Sequence, residues 1–103
     1  MTETEAAYVA GLLEGEGCFD FNAGDPRYPR IRCETTDRDV ADQLVELVGG
    51  RISLSKRRQA HHKQAYMWFL NGRDNVEPVL VAIRPWMSQR RTAKIDELLN
   101  SYV

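Results

Sequence analysis

The apolar positions of this chain recur with two periods, and the places where the period changes mark out helices and strands. Thr2 precedes a helically spaced apolar run and Glu5 follows three residues later, the pairing of a capping box, so a first helix is expected from Thr2 to about Gly15. In CFDFN the period drops to two: Phe19 and Phe21 point one way, and Cys18, Asp20 and Asn22 the other. AGDPRYP carries the Gly, Asp and prolines of a turn. PRIRCE alternates again, with Ile31 and Cys33 on one face and Arg30, Arg32 and Glu34 on the other. Two strands of a hairpin follow from this, apolar on one side and arginine-bearing on the other.

A second helix is expected from near Thr36, with Asp39 at the capping-box position. Its stripe is Val40, Leu44, Leu47 and Val48, and Gly49-Gly50 stops it. RISLSKR then puts Ile52 and Leu54 inward and Ser53, Ser55 and Arg57 outward. AYMWFL is apolar on both faces; Tyr66, Trp68 and Leu70 are read as the inner set. Asn75 is expected to cap a short helix with the stripe Val76, Val79, Leu80 and Ile83, ended by Pro85. Ser88 opens a last helix whose stripe is Ile95, Leu98, Leu99 and Tyr102. The order α-β-β-α-β-β-α-α predicts an α+β fold, a single domain over residues 1–103 with helices on one face of a four-stranded antiparallel sheet.

Such a layer leaves the other sheet face bare, carrying Asp20, Asn22, Arg30, Arg32, Ser53, Ser55 and Arg57. A twisted antiparallel ribbon fits the DNA major groove, where Arg reads guanine and Asn reads adenine. An ordinary half-solvated sheet alternates in the same way. Charge sharpens the choice. The net charge is only −1, yet no acid falls between Leu47 and Arg73, where Arg51, Lys56, Arg57, Arg58, His61, His62 and Lys63 lie. One basic surface on a near-neutral chain is the footprint expected of a polyanion partner, although a solvated hairpin tip would share it.

No apolar run approaches the roughly 20 residues of a membrane span, so no membrane role is expected. The acidic start MTETEAAY is unlike a signal peptide, which points to a cytoplasmic protein with Cys18 and Cys33 reduced. Those cysteines and His61 and His62 lack the spacing of a zinc site, and GEG lacks the Lys-Ser/Thr of a phosphate loop.

The stretch YVAGLLEGEGCFDF, residues 8–21, is the least ordinary part of the chain. On a helix, Ala7, Gly11 and Gly15 form one narrow stripe, while Tyr8, Leu12 and Leu13 are expected to face the core. Each glycine costs about 1 kcal/mol relative to alanine, a cost that close approach of a second helix offsets. If that helix belongs to a second copy, the two cross at a twofold axis. Glu14 and Glu16 sit at the negative end of the helix dipole, beside carbonyls, where an acid is unfavourable until a cation arrives. Hard divalent ions take carboxylate and carbonyl oxygens. A pair of surface glutamates beside a glycine-rich turn is the plainer alternative.

Residues Val9 to Gly17 resemble the nine-residue motif of the LAGLIDADG homing endonucleases, and Tyr8 and Cys18-Phe19 fit its extended form Y-L-A-G-x-x-D-G-E-G-C-F. Val9 replaces the leading Leu. Elsewhere the likeness rests on element order, on Thr35-Thr36-Asp37 before the second helix, and on Pro85-Trp86-Met87 after the third. The resemblance implies the family's αββαββα fold with a DNA-binding sheet. It also implies Glu16 and the Gly15 carbonyl as metal ligands, and Asp37 and Arg90 (or Arg91) as catalytic groups near the attacking water. Ala7, Gly11, Glu14 and Gly15 would lie at a dimer interface, Glu14 serving the helix end more than the chemistry. Asp20, Asn22, Arg30, Arg32, Ser53, Ser55, Arg57, Arg58 and Lys63 are the expected DNA contacts. A single motif copy implies a homodimer cutting both strands of a near-palindromic duplex with Mg²⁺, or with Mn²⁺ or Ca²⁺ in the same site. A non-cleaving DNA-binding regulator or an RNA maturase on the same fold is the alternative.

Overall fold

The computed structural model describes residues 1–55 and 63–101. The first helix, α1 (Glu3–Glu16), begins at an N-cap Thr2 whose side chain accepts from the Glu5 amide while Glu5 accepts from the Thr2 amide, the expected capping box. β1 (Gly17–Phe21) and β2 (Pro29–Thr35) follow as the expected hairpin. Their loop is tight: the Asn22 amide donates to Tyr28 and the Tyr28 amide to Asp25, with Ala23 and Gly24 at positive φ. Then come α2 (Arg38–Val48), β3 (Arg51–Leu54), β4 (Tyr66–Asn71), α3 (Arg73–Ile83), a 3₁₀ turn (Arg84–Trp86) and α4 (Gln89–Leu99). The sheet is antiparallel throughout in the order β1-β2-β4-β3, so the two hairpins meet along β2 and β4. Among the described residues no helix is long and apolar enough to cross a membrane.

One core lies between the helices and the inner sheet face. α1 contributes Val9, Ala10 and Leu13, the strands Phe19, Ile31, Cys33, Trp68 and Leu70, α3 Val76, Leu80 and Ile83, and α4 Ile95 and Leu98. Trp68 is fully buried and its indole Nε1 donates to the Gly49 carbonyl at 2.8 Å. The chain must pass close against that ring on its way into β3. Gly50 makes this possible: its φ is +93°, and a Cβ there would lie 2.5 Å from the Phe69 carbonyl oxygen.

Several local expectations shift. α2 starts at Arg38 with Asp37 as N-cap, and no capping box forms at Asp39; the Thr35 hydroxyl instead accepts from the Asp37 amide. α3 is entered through an N-cap Gly72 at φ +90°, three residues before the expected cap, and the Asn75 side chain donates back to the Asn71 carbonyl. Leu54, expected inside, is 66% exposed, because it ends an edge strand with a sheet neighbour, Tyr66, on one side only. Tyr8, also expected inside, is 43% exposed. The buried stripe of α1 runs Ala6, Val9, Ala10, Leu13, which leaves Tyr8 on its flank donating its hydroxyl to Gln43 of α2. Cys18 and Cys33 are free thiols whose side chains leave opposite sheet faces, Cys18 exposed and Cys33 buried. Tyr102 lies outside the described residues.

Candidate functional site

The motif helix is apolar on two sides. Its inner stripe is buried, and Ala7, Tyr8, Gly11 and Gly15 lie on the other side with Gly11 and Gly15 exposed. At its last residue stands Glu16, exposed, on the rim of an open cleft of about 470 Å³ that Leu12, Cys33, Glu34, Asp37 and Ala65 also line. Glu16 and Asp37 thus line one cleft, the first from the C-terminal end of α1 and the second from the N-cap of α2. Among the described residues, neither carboxylate is engaged in a hydrogen bond or ion pair, and none falls on the Gly15 carbonyl. Burial pushes the Cys33 thiol up, and the nearby Glu16 charge adds to the shift.

Glu14 has a different task. Its carboxylate accepts from the Ser88 amide at 2.7 Å and from the Ser88 hydroxyl at 2.9 Å, at the N-cap of α4. These bonds, outweighing desolvation and helped by the Arg91 charge, hold its carboxyl below the usual value. Arg91, nearly buried, reaches back from α4 to the end of α1: Nη2 donates to the Glu14 carbonyl at 3.0 Å and Nη1 to the Gly17 carbonyl at 2.8 Å. The Glu14 carbonyl is one that a helix end leaves without a partner. Arg91 is therefore committed to the backbone on either side of Glu16. Arg90 is exposed and opens onto another groove, with Cys18, Phe19 and Lys94, not onto the cleft that Glu16 and Asp37 share.

The outer sheet face is set by register. Asp20 stands directly opposite Arg30, and Cys18 opposite Arg32. Asp20 accepts from Arg30 through Nε at 2.9 Å and Nη2 at 3.0 Å, and from Arg32 Nη2 at 2.8 Å. Asn22 accepts from Arg30 Nη1 at 3.3 Å, and Arg32 Nη2 also lies 3.4 Å from the Cys18 sulfur. Partial burial raises the Asp20 carboxyl, but the Arg30 hydrogen bonds and the Arg32 and Arg30 charges outweigh it and leave Asp20 below its usual value. The two acceptors and two arginines read from the sequence as separate contacts form one network.

Ser53 is exposed beside Met67, and the Ser55 hydroxyl donates to Glu34 at 3.2 Å. Lys63 is exposed, whereas Lys56, Arg57, Arg58, His61 and His62 lie outside the described residues. Sequence reasoning placed Arg51 only in the basic stretch and passed over Asn71, yet both share this outer face with Met67 and Phe69: Arg32, Phe69 and Arg51 form one cross-strand row, and Arg30 and Asn71 pair in the next. Arg51 was findable, since it has the same parity as Ser53 and Ser55.

A four-stranded antiparallel sheet backed by helices, entered through an acid-tipped glycine helix, defines a class. The model of the LAGLIDADG-like domain matches residues 3–83, and the chain belongs to that family. The homing endonuclease I-CvuI, solved with its DNA target in the presence of 2 mM Ca, superposes with a TM-score of 0.69 at 13% identity, over 91% of this chain and 62% of that one. The archaeal intron-encoded homing endonuclease I-Vdi141I, complexed with DNA, gives 0.66 at 18% identity, over 92% and 65%. The group I intron-encoded I-CeuI, also complexed with DNA, gives 0.68 at 17%, over 95% and 53%. This chain thus has the fold of those proteins while spanning less than two thirds of each. I-CvuI was also solved on the I-CreI target in 2 mM Mg with the DNA not cleaved. No curated protein matches the chain.

Proposed function

We propose that two copies of this chain form a site-specific double-strand DNA endonuclease acting on a near-palindromic duplex with a divalent cation, Mg²⁺ foremost. One observation carries the reading: an unpartnered carboxylate, Glu16, ends a helix whose outer, glycine-bearing side is uncovered among the described residues. Packing α1 against its copy would cover that side and bring two Glu16 side chains together at the twofold axis. Glu16 and the Gly15 carbonyl are hard oxygen donors, and Mg²⁺ is commonly held by one or two carboxylates plus water and substrate phosphate, so these residues fit such an ion. When bound, the ion would stabilise charge on the phosphodiester oxygens.

The chain's own groups divide the remaining work. Asp37, across the cleft from Glu16, would orient the attacking water and accept its proton. Lys63 and Arg90, both exposed, would neutralise phosphates, with Arg57 and Arg58 expected to add to this, so binding should weaken steeply with salt. The arginine-bearing sheet face would lie in the major groove. That I-CvuI, I-Vdi141I and I-CeuI were each solved with DNA supports this assignment.

The test is cleavage of duplexes selected by the protein from a randomised library, with and without Mg²⁺. Wild type should cut both strands, and Glu16→Gln should bind the same duplex without cutting it. Cleavage that survives in Glu16→Gln would reject the ligand assignment, and binding without cleavage by wild type would leave a non-cutting DNA regulator.

A further inference from the structure

We infer that Arg30 reads the edge of a guanine, and that Asp20 and Asn22 are positioning residues that aim it instead of touching DNA themselves. The inference rests on the DNA-binding reading above. A guanidinium has five N–H groups, one on Nε and two on each terminal nitrogen. In Arg30, Nε and one N–H of Nη2 are taken by the two carboxylate oxygens of Asp20, and one N–H of Nη1 by the Asn22 side-chain oxygen. What remains is one N–H on each terminal nitrogen. With the Asn22 oxygen on the Cδ side of Nη1, that pair is the fork that meets guanine O6 and N7 together, the commonest specific contact in the major groove.

Arg30 is also pre-set. Its side chain is only 23% exposed, and strand register places Asp20 directly across from it, so the clamp is built into the pleat. A long side chain already fixed in this way loses less freedom on binding. Arg32 is held differently. Its Nη2 is shared between Asp20 and the Cys18 sulfur, and its Nε is buried without a partner among the described residues, so no equivalent fork is prepared there.

Charge and aim predict opposite outcomes at Asp20. If Asp20 only screens the arginines, removing it strengthens binding to any duplex, because a negative charge leaves the DNA-facing surface. If Asp20 aims Arg30, its loss weakens binding to the preferred duplex while leaving binding to bulk DNA equal or tighter.

The experiment selects duplexes from a randomised library with wild type, Arg30→Lys and Asp20→Ala, then measures affinity for the wild-type consensus and for unselected duplex. Arg30→Lys keeps the charge and an ion pair with Asp20 but not the fork, so a failure to fold does not confound it. Wild type should require a guanine whose replacement by 7-deazaguanine weakens binding about ten-fold or more. Lysine can also reach guanine, but as a point charge without the planar fork, so Arg30→Lys should lose most of the wild-type penalty on 7-deazaguanine. Asp20→Ala should lose about ten-fold on the consensus duplex alone. The inference is overturned if Arg30→Lys keeps the full wild-type penalty on 7-deazaguanine, or if Asp20→Ala tightens both duplexes alike. A wild-type protein that enriches no duplex would instead bring down the DNA reading itself, and this inference with it.

Discussion

Changing Gly11 tests whether the outer side of α1 is kept open for a second copy. An ideal Cβ at Gly11 meets no atom within 4 Å, so a lone chain has room for a larger residue. Alanine there also gains helix propensity worth about 1 kcal/mol. In a domain of this size that gain raises Tm by about 4–8 °C. Between two helices crossing at Gly11 the same methyl stands in the closest approach, and a leucine fills it. The two effects separate by concentration. At high dilution, Gly11→Ala should melt above wild type. Wild-type Tm should climb with protein concentration, because each ten-fold rise above the dissociation constant adds about 1.4 kcal/mol. Gly11→Leu should stay folded, lose that dependence and sediment as a monomer where wild type sediments as a dimer. Thermal unfolding and sedimentation velocity over a wide concentration range read both. A wild-type Tm that ignores concentration refutes the reasoning, and so does a Gly11→Leu chain that dimerises as tightly as wild type.

Gly17 should behave in the opposite way. A Cβ there would lie 2.6 Å from the Leu13 carbonyl oxygen and 2.9 Å from its Cα, backbone atoms with no easy retreat, so Gly17→Ala should lose about 1–3 kcal/mol in urea unfolding. Asp20 gives a pH dependence. Its folded-state carboxyl lies below the usual value, so the stability from its arginine pairs is fully present above about pH 4 and lost as pH falls through the folded-state value. Asp20→Asn should flatten that acid limb, measured as the urea midpoint between about pH 6 and about pH 2.5.

The helices and strands were legible because their signals are local. The Thr2 and Ser88 caps, the β1–β2 alternation and the buried sets of α3 and α4 needed only near neighbours in sequence. Asn75 misled because a glycine at positive φ can stand at the N-cap and leave the asparagine side chain to another carbonyl. Leu54 and Tyr8 misled because periodicity says which way a side chain points but not whether a neighbouring layer extends that far. At the candidate site, the place of Glu16 at the end of α1 was legible from its motif. The bonding of Asp20 to Arg30 and Arg32 was not, because it depends on which residue faces which across two strands, and the loop length fixes that. That Arg91 reaches the end of α1 was beyond sequence for the same reason: it depends on the docking of α4.

The family model matches residues 3–83, but the part of the chain that steadies the motif lies beyond them. Arg91 and Ser88 grip the backbone and the acid next to Glu16 from a segment that lies wholly after that limit. A fragment trimmed to residues 3–83 would retain Glu16 yet leave it on a loosened stalk. Anyone transplanting this motif into another scaffold should carry the final helix along with it.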